Sequence, residues 1–242
     1  MDHTAYKHMA DNEINHWWFQ GRRYFIAKKL ENLKRENSSI LEIGSGTGGN
    51  IKMLRKFGEL VAMELDEFAM TVAEERHGLR AIKGSLPDNH PFEDGQFDLI
   101  CLFDVLEHIE PDQESLVELQ RLLRPGGEIL ITVPAYMFLW STHDEIHHHF
   151  RRYNRKNLTE VASNAGFVVE EITNFNSLLL PLAIAGRLFA RLTRSNASLG
   201  SGMPTAFINK ILRSIFIWET RAFKAKGLPM GLSIYMRLSR KQ

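Results

Sequence analysis

The stretch Ser39-Ile40-Leu41-Glu42-Ile43-Gly44-Ser45-Gly46-Thr47-Gly48-Gly49-Asn50 restricts this chain more than any other. Apolar residues around a single acid read as a buried parallel strand. A glycine-dense turn follows, and Ile51, Leu54 and Phe57 then recur at helical spacing. Strand, glycine turn and helix in that order open a Rossmann-like unit, where backbone passes close to a nucleotide-like ligand. Glycines serve that approach, because a Cβ would block it and because the turn needs positive φ.

Two ligands suit such a turn. Gly44, Gly46 and Gly49 fit the dinucleotide pattern G-x-G-x-x-G. Gly44, Gly46 and Gly48, with Glu42 two positions earlier, equally fit a turn for S-adenosyl-L-methionine (SAM). A dinucleotide brings a pyrophosphate to the helix N-terminus, whereas SAM brings an adenosine, a sulfonium cation and an amino acid. A carboxylate at the strand end suits the cation. A glycine turn with no ligand is the third reading.

A chain of 242 residues fits one elaborated α/β domain. The single cysteine, Cys101, excludes an internal disulfide framework and lies in an apolar run, which reads as inert core in a reducing compartment. No secretory signal and no apolar run long enough to span a bilayer is visible, so a cytoplasmic protein is expected. The net charge of +1 hides an asymmetry: residues 178–242 carry eleven Lys/Arg and one acid, Glu219. Such a split points to a polyanionic partner or surface.

Four segments are expected: an N-terminal helical lid (1–37), a Rossmann-like core (38–177), a basic helical insertion (178–230) and a last core strand (231–242). In the first, His16-Trp17-Trp18-Phe19 and Gly21-Arg22-Arg23 read either as a helix packed on the core or as a lid that brings an arginine to the cofactor's carboxylate. Leu60–Glu64 is the second strand. Glu64 lies 20 positions after Gly44, where a βαβ unit places the acid for the ribose hydroxyls, and Asp66 is its rival. A helix over 67–77 and a third strand over Leu79–Ile82 lead to Gly84-Ser85-Leu86-Pro87. Phe97–Asp104 is the fourth strand, and the helix after it carries Leu116, Leu119, Leu122 and Leu123. Arg124-Pro125-Gly126-Gly127 then turns into a strand over Glu128–Val133. Helix 157–165, strand six from Gly166, and Leu232–Leu238 pairing antiparallel with it complete a seven-stranded, mostly parallel sheet with helices on both faces. Gly44, Glu64, Ser85, Asp104 and Pro134 all fall at the carboxyl edge, where ligands of such sheets sit.

Leu41–Gly48, Phe97–Ile100, Val105-Leu106-Glu107-His108-Ile109 and Leu123–Gly127 together resemble the successive motifs of class I SAM-dependent methyltransferases. The likeness covers roughly residues 15–175 and looks closest to the small-molecule branch that includes the ubiquinone-biosynthesis O-methyltransferase. It implies SAM as cofactor, with Glu42, Gly44, Ser45, Gly46 and Gly48 along its methionyl part and Arg22 on its carboxylate. Glu64 and Leu65 would take the ribose, Ser85 and Leu86 the adenine, and Phe103 and Asp104 would lie under the sulfonium. Many relatives carry aspartate where Ser85 stands, which weakens the expected bond to the adenine amino group.

Methyl transfer is an in-line displacement, and a base is needed only for a protonated acceptor such as a hydroxyl. The run Pro134–Tyr153 leaves the ligand edge rich in aromatics and imidazoles. His143, with Asp144 and His147, reads as a base and its orienting partners. Their spacing of four would also suit zinc on a helix, but no metal is expected. Trp17, Trp18, His108, Tyr136, Trp140 and Tyr153 are candidates for substrate contact. So are Arg151 and Arg152, which would clamp an anionic substrate or pair with nearby acids. In the insertion, Ser177–Ala190 is apolar apart from Arg187, Ser195–Gly202 is rich in serine and glycine, and Phe207–Lys224 is amphipathic. Ile208, Ile211, Leu212, Ile215, Phe216, Ala222 and Phe223 form one face of that last segment, Lys210, Arg213, Arg221 and Lys224 another, and Glu219 interrupts the apolar side. The insertion reads as helices that close the site or make a homodimer, or as an attachment to an anionic membrane. No nucleic-acid module is recognised. The expected activity is methyl transfer to a small or lipid-like acceptor, on oxygen before nitrogen or carbon. A SAM-binding docking protein without turnover is the alternative, and an NAD-dependent dehydrogenase a minor one.

Overall fold

A computed structural model describes residues 7, 10–33, 37–193 and 203–241. The serine- and glycine-rich stretch 195–202 lies outside them, as do residues 1–6 of the expected lid. Seven strands, β1 (Ser38–Ile43), β2 (Gly58–Glu64), β3 (Ile82–Lys83), β4 (Phe97–Phe103), β5 (Leu123–Pro134), β6 (Phe167–Phe175) and β7 (Ser233–Arg240), form one sheet. Their order is β3-β2-β1-β4-β5-β7-β6. The pairs from β3 to β5 are parallel, and β7 runs antiparallel to both β5 and β6. The third strand is shorter than expected and displaced. Only Ile82 and Lys83 reach Met63 and Glu64, because Ala81 and Leu79 pack instead against Ala62 and Met70.

Period-two alternation divides the apolar strands between two cores. Leu41, Ile43, Ile100, Leu102, Ile129 and Ile131 face one side. There they meet Leu116 and Leu119 of α4 (Asp112–Leu122) and Leu158 of α6 (Arg155–Asn164). Ile40, Leu99, Cys101, Leu130 and Tyr235 face the other. Phe25, Ile26 and Leu30 of α1 (Trp17–Leu33) and Phe216 of α8 (Ala206–Ala222) cover them. Cys101 is wholly buried and its thiol is pushed well up by burial, so it stays protonated and inert. The remaining helices are α2 (Ile51–Leu54), α3 (Glu67–His77), α5 (Thr142–Ile146) and α7 (Leu180–Thr193).

The helix α1 has no acid in its first turn, and α8 supplies the missing cap. The Trp17 amide donates to Asn209 Oδ1 at 2.8 Å, and Asn209 Nδ2 donates to the Asn15 carbonyl at 2.9 Å. The two helices meet at Gly21, where a Cβ would lie 2.2 Å from the Phe216 ring. Phe25 stacks on Phe175 at 4.3 Å and 10° beneath them. Burial of a side chain such as Phe25 or Ile26 is worth about 1.5–3 kcal/mol, more than the roughly 1 kcal/mol that a mid-helix glycine costs. The expected N-terminal segment is therefore seated on the core over Trp17–Leu33. Glu219 is the acid that interrupts the apolar side of α8. Its carboxylate accepts from the Ser177 amide at 2.9 and 2.8 Å and from the Leu178 amide at 2.8 Å, so it satisfies buried backbone where β6 leads into α7. Other apolar residues of the insertion face outward: Phe207 is 73% exposed, Leu182 60% and Trp218 59%. Among the described residues no helix is long and apolar enough to cross a membrane.

Candidate active site

The turn after β1 is built from backbone that side chains rarely adopt: Gly44, Gly46 and Gly48 have φ of 63°, 54° and 91°. A Cβ on Gly44 would lie 2.6 Å from Val105 Cγ2, so the turn also needs the space. At the end of β2, Glu64 Oε2 accepts from the Gly46 amide at 2.7 Å, and Oε1 accepts from the amides of Leu65 and Asp66 at 2.8 and 3.0 Å. Asp66 instead caps α3, accepting from the Ala69 amide at 3.0 Å. Asp66 is thus committed to capping α3, and Glu64 to the amides of the turn and of its own strand end. Leu65 beside it is an exposed apolar residue. Ser85 and Leu86 follow β3, and the Gly84 amide donates to the Glu64 carbonyl at 3.1 Å.

Glu42 is wholly buried below the turn. Burial pushes its carboxyl up to about 7, against the opposing pull of the Asn50 amide and the Arg22 charge. Its Oε1 accepts from Asn50 Nδ2 at 2.8 Å, and its Oε2 has no partner among the described residues. Arg22 reaches the same edge from α1. It ion-pairs with Asp104 and donates to the Phe103 carbonyl at 3.3 Å, and its guanidinium lies 4.6 Å from the Trp18 ring centroid. Arg22 Nε, Ser45 Oγ and Asn50 Oδ1 are also buried without a partner among the described residues. Such atoms are costly in a protein interior, so these atoms about one glycine turn, unpartnered among the described residues, mark a place made for a polar ligand. Asp104 and Tyr136, just beyond β4 and at the end of the β5 side, both have φ of 59°. Non-glycine residues in that region carry strain, which is typical of ligand-binding edges.

The loop after β5 is organised by Asp144, which is fully buried. Its carboxylate accepts from Arg152 Nε at 2.6 Å and Nη2 at 3.0 Å, from the Ser141 amide at 2.8 Å and from Ser141 Oγ at 3.1 Å. His149 Nδ1 completes the set at 2.9 Å. Burial would raise this carboxyl, but the bonds from His149 and Arg152 prevail and hold it well below its usual range. Two expectations change here. Asp144 orients His149 rather than His143 or His147, and Arg152 is consumed by that pairing rather than held out for an anionic substrate. Arg151 is likewise paired, with Asp112 at 2.6 Å and the Glu110 carbonyl at 2.8 Å. Tyr153 is buried with its hydroxyl on Asp112 at 2.8 Å, which leaves it no face for a substrate.

His143 and His147 do share a face, with ring centroids 4.2 Å apart. Burial lowers them to about 3 and about 4, so both are neutral imidazoles near pH 7. Tyr136 stacks on Phe138 at 5.3 Å, and Trp140 is half-buried. Trp18 stays with Arg22 at the ligand edge, whereas Trp17 turns its ring toward Phe216, 6.4 Å away. Sequence reasoning missed Asn50, Glu107 and His149. Asn50 was legible only as the residue that starts a helix. Glu107 lies in the Val105–Ile109 motif, which by itself signals no role for it, and it is buried with Oε2 unpartnered among the described residues.

A family model described as "Methyltransferase domain" matches residues 17–172. This chain belongs to the methyltransferase domain family. A probable S-adenosylmethionine-dependent methyltransferase of Mycolicibacterium smegmatis is 26% identical over 66% of this chain and 62% of its own length. The ubiquinone/menaquinone biosynthesis C-methyltransferase of Azotobacter vinelandii is 24% identical over 69% of this chain and 71% of its own. The first three curated relatives are matched over only 54–62% of their own lengths. Among solved structures, phosphoethanolamine N-methyltransferase 2 of Haemonchus contortus bound to S-adenosyl-L-methionine superposes with a TM-score of 0.57 at 18% identity. That match covers 86% of this chain and 50% of the other, and it shows the shared fold. SAM is the cofactor of this methyltransferase family, and the donor set fits it: a guanidinium for a carboxylate, buried carboxyls for a cation and for hydroxyls, and a turn with no room for a Cβ.

Proposed function

We propose that this methyltransferase-family chain transfers the methyl group of SAM to an oxygen of a small or lipid-like acceptor. The observation that carries the reading is the group of buried, unpartnered polar atoms about the glycine turn: Arg22 Nε, Glu42 Oε2, Ser45 Oγ and Asn50 Oδ1. In this reading Arg22 holds the cofactor's carboxylate, Glu42 faces its charged methionyl part, Glu64 and Leu65 its ribose, and Ser85 and Leu86 its adenine. Phe103 and Asp104 lie under the methyl group. The neutral imidazoles of His143 and His147 support an acceptor that carries a proton, since each can accept a hydrogen bond from a hydroxyl. Calorimetric titration with S-adenosylhomocysteine is expected to give micromolar binding. Glu64→Ala should weaken it at least about tenfold, because a carboxylate hydrogen bond to a hydroxyl contributes about 1.5–3 kcal/mol. Equal binding by that variant, or none by the parent, would end this assignment.

A lipid-like acceptor is favoured by the insertion. Phe207, Leu182 and Trp218 are exposed in a part of the chain that carries eleven bases and one acid, a pairing suited to an anionic bilayer surface. Vesicles with phosphatidylglycerol should sediment the full chain, and vesicles of phosphatidylcholine alone should not. Reversing Lys210 and Arg213 to glutamate, or raising salt, should release it, since each base near such a surface is worth about 1 kcal/mol. Sedimentation indifferent to both would remove the membrane from this reading.

A further inference from the structure

Glu107 and His108 stand in the short 3-10 turn Leu106–His108 after β4, and His149 stands in the loop after β5. Each offers one ligand atom, and these three atoms lie within 4.8 Å of one another. From this geometry we propose a zinc site, Glu107–His108–His149, at the acceptor side of the methyl-transfer centre. The inference deepens the methyl-transfer reading and, for the role given to the metal, rests on it.

Three observations converge. Glu107 is almost wholly buried, and its Oε2 has no hydrogen-bond partner among the described residues. A buried carboxylate left that way is costly, and a cation removes the cost. His149 is held as metal-ligating imidazoles are held, by a bond from its other ring nitrogen. His149 Nδ1 is taken by Asp144 at 2.9 Å, which leaves Nε2 for a metal, and the His108 ring lies edge-on to that of His149 with centroids 4.5 Å apart. The two segments are also pinned together, since the Phe150 amide donates to the Glu107 carbonyl at 2.8 Å and the His149 amide to the Asp144 carbonyl at 2.9 Å. The nearby Arg152 does not oppose a cation at full strength, because Asp144 holds its charge in a bidentate pair.

Two imidazoles and one carboxylate suit zinc better than calcium or magnesium, which prefer oxygen ligands. Three protein ligands leave one tetrahedral position open. That position can take an acceptor hydroxyl directly. An acceptor hydroxyl bound to zinc would lose its proton to water at far lower pH than when free. The oxygen lone pair then forms the new C–O bond to the methyl carbon while the electron pair of the breaking S–CH3 bond returns to sulfur, giving the methyl ether and S-adenosylhomocysteine. Asp144 acts through His149 and is a positioning residue.

The test is zinc binding by the full chain after treatment with a chelator, read by calorimetry and by metal analysis after desalting. One zinc per chain is expected. Glu107→Gln and His149→Ala should each weaken it at least tenfold, while a chain with both His143→Ala and His147→Ala keeps it. S-adenosylhomocysteine titrations of the same samples should not move, so a failed cofactor site and a failed metal site are told apart. Cobalt(II) reads the unmutated chain directly, and the intense visible bands of a tetrahedral ion are expected. No uptake of zinc, uptake unchanged in Glu107→Gln, loss of zinc with the His143/His147 pair, or the faint spectrum of octahedral cobalt would each overturn the site.

Discussion

Gly44→Ala is expected to abolish measurable S-adenosylhomocysteine binding while the chain still folds. Two costs add at this position. A φ of 63° costs a residue with a Cβ about 1–2 kcal/mol. The new Cβ would also stand 2.6 Å from Val105 Cγ2, and overpacking of that kind costs about 1–3 kcal/mol. Relief must come from moving either the turn or Val105, which adjoins Asp104. Either movement displaces a group that the proposed site uses, so the loss of affinity should exceed the loss of stability. Gly78→Ala separates the two causes. Gly78 has nearly the same φ, 61°, but its Cβ would meet nothing within 4 Å. That variant should lose about 1 kcal/mol and bind normally. Calorimetry on both, with urea unfolding to measure stability, decides the matter. Normal binding by Gly44→Ala would show that the ligand sits elsewhere.

The largest change in stability is expected from Asp144→Ala. The substitution strands the buried Arg152 guanidinium and removes acceptors from Ser141 and His149 together, and breaking a buried pair in this way costs about 3–5 kcal/mol. The pH dependence carries a second signature. A carboxyl whose folded pKa is depressed stabilises the fold above its unfolded pKa, and that contribution fades as pH falls through the folded value. The parent should therefore lose stability below about pH 4, and the variant should lose less over that range. Urea unfolding at pH 7 and pH 3 gives both numbers. A difference under about 1 kcal/mol at pH 7 would mean that Arg152 finds water when Asp144 is gone. Because Asp144 holds His149, the same variant should weaken zinc about 10–100-fold.

The β-strand framework was legible because burial on both faces writes strands as continuous apolar runs. Ile40–Ile43 and Phe97–Phe103 approach such runs, each broken by a single acid, and β7 was recognisable in the same way at Leu232–Leu238 despite Arg237. The third strand was misplaced because Leu79 and Ala81 are apolar for a different reason, packing beneath α3. Spacing put Glu64 before Asp66; in the structure Asp66 caps α3 and Glu64 accepts from the Gly46 amide of the turn. The loop 134–153 was legible as a site and opaque in its wiring. The residue types announce chemistry, but whether Asp144 meets His143, His147 or His149 depends on the path of the loop, including His148 at a φ of 54°. Glu219 shows the same limit. Within α8 alone it looks like a misplaced charge, and only the amides of Ser177 and Leu178, 42 and 41 positions earlier, explain it.

The position of β7 between β5 and β6 has a consequence for synthesis. Strand β6 joins the sheet only through β7, and between them in sequence lie α7 and α8. While a ribosome extends the chain through these helices, β5 has an unpaired edge and Phe167–Phe175 has no partner strand. Both invite wrong pairings with other chains. The sheet closes only when Ser233–Arg240 slides into the gap and pairs on both sides at once. A chain released before Ser233 therefore forfeits two strands rather than one, and it exposes an open β5 edge together with an orphaned β6.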